Sequence, residues 1–303
     1  MKRIGNIGAV IVTYNPNMHD LIVLISRIKN QFHEIMIVDN GSKNRSEIEI
    51  LTKKEEVGIL LFAKNLGIAK ALNVGIRYFA KKNFTWVATF DQDSEPSLDF
   101  VEQFQNFNFN DNVAVVGSYY LDRNWSDEEK EQAKLEQKHF EITRYVITSG
   151  AFIKISVWEK VNGFDESLFI DWVDWDFNER VFDSGYDVIR TSCLLMSHQV
   201  GETFKVNPFL KTLLGLNNRP VRDHSAFRQY YIFRNRFIFY KRYKNENWIL
   251  ISLRSLIALR ELLLLQQAFE KIKAAFSGIE DGIKKTKEID TFWNTYLKKK
   301  KED

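Results

Sequence analysis

The sequence predicts an α/β protein: a mostly parallel, mixed sheet flanked by helices, with an α-helical C-terminal extension. Two observations carry that expectation. Short apolar runs alternate with helix-compatible stretches over the first two hundred or so residues, which is the signature of strands joined by right-handed helical crossovers. Beyond about residue 205 the alternation stops and long helix-compatible stretches follow. We therefore divide the chain at 1–204 and 205–303. A length of 303 residues fits one large or two modest domains. Apolar residues at 45% and charged residues at 27% exclude a disordered chain.

The elements follow in order. IGAVIVTY (7–14), EIMIVD (34–39), GILLFA (58–63) and WVATF (86–90) are short, continuous and rich in Val, Ile and Phe. That suits strands covered on both faces. Helices are predicted over 17–31, 43–55 and 67–82. The runs 114–120, 145–155 and 187–197 add strands, some antiparallel. In the C-terminal part, 224–243 and 248–276 read as helices, and the Lys298–Lys301 run reads as a frayed, solvated terminus.

Charge is divided unevenly. Residues 205–303 hold 21 Lys and Arg against 10 Asp and Glu, a net of +11, while residues 1–204 carry a net of −8. The two parts are expected to meet different partners. The single cysteine, Cys193, lies among Leu194, Leu195 and Met196 and reads as an inert buried thiol. The first residues lack the apolar stretch of a signal peptide, and no uncharged apolar run of about 18 residues is present. A cytoplasmic protein is the expectation.

In open α/β sheets, functional groups gather beyond the carboxyl ends of the strands. Those ends read Thr13-Tyr14-Asn15-Pro16, Asp39-Asn40-Gly41-Ser42, Asn65-Leu66-Gly67 and Asp91-Gln92-Asp93-Ser94. The second suits an ordinary turn and helix cap equally well. The fourth is harder to explain structurally. Two carboxylates one residue apart repel unless solvent or a cation screens them, and hard oxygen ligands suit Mg²⁺ or Mn²⁺.

Seven strings together resemble the inverting family 2 glycosyltransferases: IVTYNP (11–16), IVDNGS (37–42), NLGIAKALNVGI (65–76), FDQDS (90–94), SGAF (149–152), NGFDESLFIDWVDWDFNER (162–180) and SHQVGE (197–202). DQDS, FIDWVDWDF and HSAFRQYYIFRNR (224–236) are similar to bacterial rhamnosyltransferases in particular. The resemblance implies a GT-A, Rossmann-like fold. It implies transfer of a hexosyl group, L-rhamnose from dTDP-L-rhamnose, to a glycan or lipid-linked acceptor in bacterial surface polysaccharide synthesis. A UDP-sugar donor, galactofuranosyl or glucosyl, is the close alternative.

Residue roles follow from the same resemblance. Thr13, Tyr14, Asn15, Asp39, Asn40, Asn65, Gly67, Ala71, Asn73, Asp91, Gln92, Ser149 and Gly150 would bind the nucleotide-sugar. Asp91, Asp93 and His198 would hold a divalent metal, Mg²⁺ or Mn²⁺. Aligning the motif on Arg180 puts the catalytic base at Asp174, with Val173 in place of the usual Glu and with Asp171 and Asp176 as supporting acids. The other reading of these acids is a helix cap. Trp172 and Trp175 could face an acceptor sugar or the core.

Aromatic and basic residues interleave between Phe227 and Arg242, including Arg228 and Arg234. They suit an acceptor or lipid diphosphate, or peripheral contact with an anionic membrane at the inner face of the plasma membrane. They equally suit a helical cap with a solvated basic face. A nucleotidyltransferase would need a basic, Gly-rich loop that residues 13–17 lack. A nucleic-acid-binding protein would leave the acidic strand ends unexplained, and no nucleic acid is expected. Oligomeric state is not legible in the sequence.

Overall fold

The computed structural model describes residues 6–107, 109–122, 128, 140–198, 208–216, 223–243, 248–284 and 290–302. The strands are β1 (Ile7–Thr13), β2 (Glu34–Asp39), β3 (Gly58–Leu61), β4 (Trp86–Asp91), β5 (Glu95–Pro96), β6 (Val113–Asp122), β7 (Phe140–Ile142), β8 (Ala151–Lys154) and β9 (Asp187–His198). They form one sheet in the order β3-β2-β1-β4-β8-β6-β9-β5, with β7 also pairing β9. The β3-β2-β1-β4 half is parallel throughout. β8 runs antiparallel to both β4 and β6, so the sheet is mixed, as expected.

The crossovers are α1 (Met18–Ile28), α2 (Arg45–Glu55) and α3 (Ile68–Lys81), each inside its predicted stretch. Asn17 caps α1 by accepting from the His19 backbone N–H. Every residue of β1 is buried, which explains its unbroken apolar run. Helix α4 (Phe100–Asn106) brings Phe104 face to face with Phe152 of β8, ring centroids 3.8 Å apart. Burying one such side chain contributes roughly 1.5–3 kcal/mol.

One strand is shorter than expected. Of residues 145–155 only 151–154 pair as β8. The stretch before it turns instead, with the Gly150 N–H donating to Thr89 O at 2.7 Å and the Thr89 hydroxyl donating to Thr148 O at 2.5 Å. Helices α5 (Ile155–Lys160) and α6 (Val173–Asp183) follow. The side chain of Cys193 lies outside the described residues.

The chain divides into two compact units, Met1–Glu166 with Val173–Val200, and Ser167–Trp172 with Gly201–Asp303. The short segment Ser167–Trp172 thus groups with the C-terminal part. That second unit contains α7 (Pro208–Leu213), α8 (Ala226–Tyr243), α9 (Trp248–Leu262), α10 (Ala268–Lys284) and α11 (Thr291–Glu302).

The single helix expected over 248–276 is two helices. The chain reverses through 263–267, with Gln267 at φ +51°. A continuous helix of that length would run about 43 Å. It could not return Ala275 and Ile279 to Phe233, Phe237, Ile251 and Leu259, with which they share one core.

Close approach of α10 to α8 requires glycine. A Cβ at Gly278 would collide with the Tyr230 carbonyl, and one at Gly282 would lie 3.0 Å from that of Arg234. Beside this contact, burial and then the Asp281 carboxylate that accepts its hydroxyl push the Tyr230 pKa up. The terminal lysines are exposed, as expected, but helical rather than frayed. Buried Tyr296 and its neighbour Trp293 anchor α11, and Trp293 packs on Tyr243.

Candidate active site

Three strand ends of the first unit are braced to one another. Asp39 ends β2 fully buried. Its Oδ1 accepts from the Thr13 hydroxyl at 3.0 Å and from the Ser42 hydroxyl, and its Oδ2 accepts from the Ser42 N–H at 3.0 Å. Those donors satisfy a carboxylate that water does not reach. Ser42 Oγ in turn accepts from the Asn15 N–H at 2.8 Å, and Asn15 Oδ1 from the Lys43 N–H at 2.8 Å. Asn15 sits at φ +49°, a conformation that Asn tolerates. Beyond β4, Gln92 Oε1 accepts from the Tyr14 N–H at 2.8 Å.

The loop after β3 joins the same group. Asn40 Oδ1 accepts from the Leu66 N–H, and Asn65 Oδ1 from the Gly67 N–H, which opens α3. Gly41 has φ +83°, and a Cβ there would lie 2.6 Å from the Lys64 backbone. Only glycine admits that turn. Ser149 ties the acidic turn down: its Oγ accepts from the Asp91 N–H at 3.2 Å and lies 2.5 Å from Ser94 Oγ.

Two predicted residues stand apart from this group. Ala71 is fully buried in the core. Asn73 is buried on α3 and bonds to Phe164 N and O, to the Trp158 indole and to Glu166. It braces the stretch before the acidic motif, where Lys70 also pairs with Glu166 at 2.8 Å.

Asp91 and Asp93 are half-exposed on the turn between β4 and β5. In the pairing of β5 with β9, Glu95 lies opposite Ser197, so the backbone of His198 ends β9 beside this turn. The His198 side chain lies outside the described residues. Among the described residues, no three His, Cys, Asp or Glu side chains converge as a metal site. The donor chemistry on this turn, two carboxylates one residue apart, fits a hard divalent ion.

The three carboxylates of the second motif differ in their surroundings. Asp176 faces inward from α6 and pairs with Arg180 at 2.8 Å, both essentially unexposed. The Arg180 guanidinium also donates to the Val161 and Gly163 carbonyls. Asp171 takes a two-pronged pairing from Arg228, with Nη2 at 2.9 Å. Asp174 is half-buried on the first turn of α6, where its Oδ1 accepts from the Trp175 N–H. It lines a narrow cleft with Val146, Thr148, Phe164 and Asn178.

Trp175 is 38% exposed and stacks on Tyr145, ring centroids 4.4 Å apart. Tyr145 and Arg144 both hold the buried Glu179. In the second unit, Trp172 donates its indole N–H to Ile232 O and packs on Phe239. Arg234 is 9% exposed and donates to the Ser167 and Leu168 carbonyls. The sequence reading singled out Asn73 for the nucleotide-sugar and not for this bracing, and it did not single out Glu179, Tyr145 or Asn235. The clue for Asn73 was a polar residue on the apolar face of a predicted helix.

Comparison with known proteins agrees with this architecture. Residues 9–161 match the profile of Glycosyl transferase family 2. The chain is 32% identical over 265 residues to dTDP-rhamnosyl transferase RfbF of Shigella flexneri, covering 84% of this chain and 85% of that protein. In fold it resembles GalNAc-T7, solved with UDP, GalNAc and Mn²⁺, at a TM-score of 0.54 and 12% identity, over 78% of this chain and 51% of that one. With half its length under that profile and so similar a relative along most of the rest, the chain belongs to glycosyl transferase family 2 and is a glycosyltransferase of GT-A fold.

Proposed function

We propose that the protein transfers L-rhamnose from dTDP-L-rhamnose, with inversion, to a hydroxyl of a glycan acceptor. The observation that carries the donor class is the braced set of strand ends around Asp39, Gln92 and Ser149. The choice of rhamnose is supported by the 32% identity to a dTDP-rhamnosyl transferase. In this reading Thr13, Tyr14, Asn15, Asp39, Asn40, Asn65 and Gly67 form the nucleotide cradle. Asp174 accepts the proton of the attacking acceptor hydroxyl. Asp91, Asp93 and His198 would hold a divalent ion, Mg²⁺ or Mn²⁺, which neutralises charge on the diphosphate leaving group.

Thermal unfolding with each candidate donor and Mn²⁺ tests the choice. A ligand at about 100 times its Kd adds about 2.7 kcal/mol to native-state stability. The midpoint is expected to rise by several degrees with dTDP-rhamnose and hardly at all with UDP-glucose. The reverse order would assign a UDP-sugar enzyme.

We also propose peripheral contact with an anionic membrane, at the cytoplasmic face, through α9. This helix buries Ile251, Leu259 and Leu262, yet it also exposes Ile249, Leu250, Leu253, Leu256 and Ile257 by 43–56%. A helix apolar on both faces needs a second apolar neighbour. No helix among the described residues is long and apolar enough to cross a membrane. The net +11 of residues 205–303 favours anionic lipid as that neighbour.

The surface read from the sequence, 227–242, is the less suitable one, because Phe233, Phe237 and Phe239 point into the core. The protein is expected to float with phosphatidylglycerol vesicles at low salt and to be released at high salt. Leu253→Glu with Leu256→Glu should abolish flotation. Flotation unchanged by that pair would remove α9 from the contact.

A further inference from the structure

We propose that Asn235, with Arg234 and Arg228, is a positioning device for the catalytic carboxylate, and that helix α8 acts as a template for the loop entering α6. The inference rests on the reading of Asp174 as the base.

The loop has an unusual backbone. Phe169, Asp171 and Trp172 have φ of 65°, 62° and 66°, three left-handed residues within four positions, none of them glycine. Such a stretch is intrinsically unfavourable and cannot satisfy its own carbonyls by helical bonding. Something must hold it, and the holding groups lie on α8.

The Asn235 side-chain NH₂ shares its two hydrogens among Leu168 O at 2.8 Å and Ile170 O and Asp171 O at 2.9 Å. Its Oδ1 accepts from Arg234 Nε at 2.9 Å, which fixes which way the amide faces. Arg234 Nη2 donates to Ser167 O and Leu168 O. Arg228 grips the Asp171 carboxylate with two nitrogens. The Phe169 ring stacks on Tyr231 at 4.9 Å, and Trp172 donates to Ile232 O. Residues 228, 231, 232 and 235 fall on one face of a helix. Asn235 has no exposed surface, so water cannot take over its role.

Trp172 is followed directly by α6, and Asp174 is its second residue. The left-handed turn therefore sets where the first turn of that helix begins. A displacement of about 1 Å at a reacting group can cost about 10²-fold in rate.

The test is Asn235→Leu, similar in size but without donors, assayed alone and in an Asp174→Asn background. We expect kcat to fall about 10- to 100-fold, donor KM to stay within about twofold, and the effect to vanish in the Asp174→Asn background, because coupled residues are not additive. Undiminished loss in that background, or full kcat in Asn235→Leu, would overturn the positioning role. A near-wild-type Asp174→Asn would instead remove the base assignment, whatever Asn235→Leu does. Should Asn235→Leu fail to fold, Arg228→Met removes the grip on Asp171 at a half-exposed side chain. It should show the same split between kcat and KM at smaller amplitude, and a normal kcat there would overturn the proposal.

Discussion

Asp174→Asn is expected to lower turnover by about 10²–10⁴-fold, the range for losing a general base, with donor KM nearly unchanged. The substitution keeps size and polarity and removes basicity. Donor binding should survive because the proposed cradle draws on the ends of β1, β2 and β3, and among the described residues none of the hydrogen bonds that brace it involves α6.

The neighbouring carboxylates make the comparison sharp. Asp176→Asn should act on stability instead, because it removes a carboxylate charge paired with the Arg180 guanidinium, unexposed in the core. Breaking such a pair costs about 3–5 kcal/mol. Asp171→Asn should reduce turnover less than Asp174→Asn, since Asp171 is engaged by Arg228. Steady-state kinetics and thermal melts on the three variants separate these outcomes. A near-wild-type Asp174→Asn beside a dead Asp171→Asn would show that the motif had been aligned on the wrong carboxylate.

Much of the first unit was legible because its signals are local. A short, β-branched run such as IGAVIVT suits a strand covered on both faces, and β1 is buried along its whole length. Asp39-Asn40-Gly41-Ser42 fits a turn, and Gly41 at φ +83° needs one. What stayed hidden depends on tertiary pairing. The i, i+4 spacing of Asp176 and Arg180 allows a pair on one helix, but nothing in the local pattern says that the pair is buried, or that Asn73 uses its amide on Phe164.

The C-terminal unit was read least well for the same reason. The interleaving of Arg and aromatic residues in 224–236 resembles a solvated interface. Yet Arg234 and Asn235 are buried and donate to loop carbonyls about 65 residues earlier in the chain. The break at 263–267 carries no Pro or Gly to mark it. It follows from the core that α10 must rejoin.

Asp93→Ala is expected to abolish metal-dependent transfer while leaving the fold intact. Asp91 and Asp93 share a turn that follows a buried strand and is half-exposed. That turn is held in shape by other groups: Ser149 accepts from the Asp91 N–H and meets Ser94, and Gln92 is fixed by Tyr14. Removing one carboxylate leaves those bonds in place, so the thermal midpoint should change little when no metal is present.

Activity should fall steeply. Charge neutralisation at a leaving diphosphate is worth several kcal/mol, and about 1.4 kcal/mol is tenfold in rate, so a loss of at least about 10³-fold follows. Chelation by EDTA should reduce the wild type to a similar level, and Mn²⁺ or Mg²⁺ should restore the wild type but not the variant. Mn²⁺ titration followed by electron paramagnetic resonance should show the variant's affinity weakened independently of turnover. An Asp93→Ala enzyme that keeps full activity in EDTA would remove the metal from the DQDS turn.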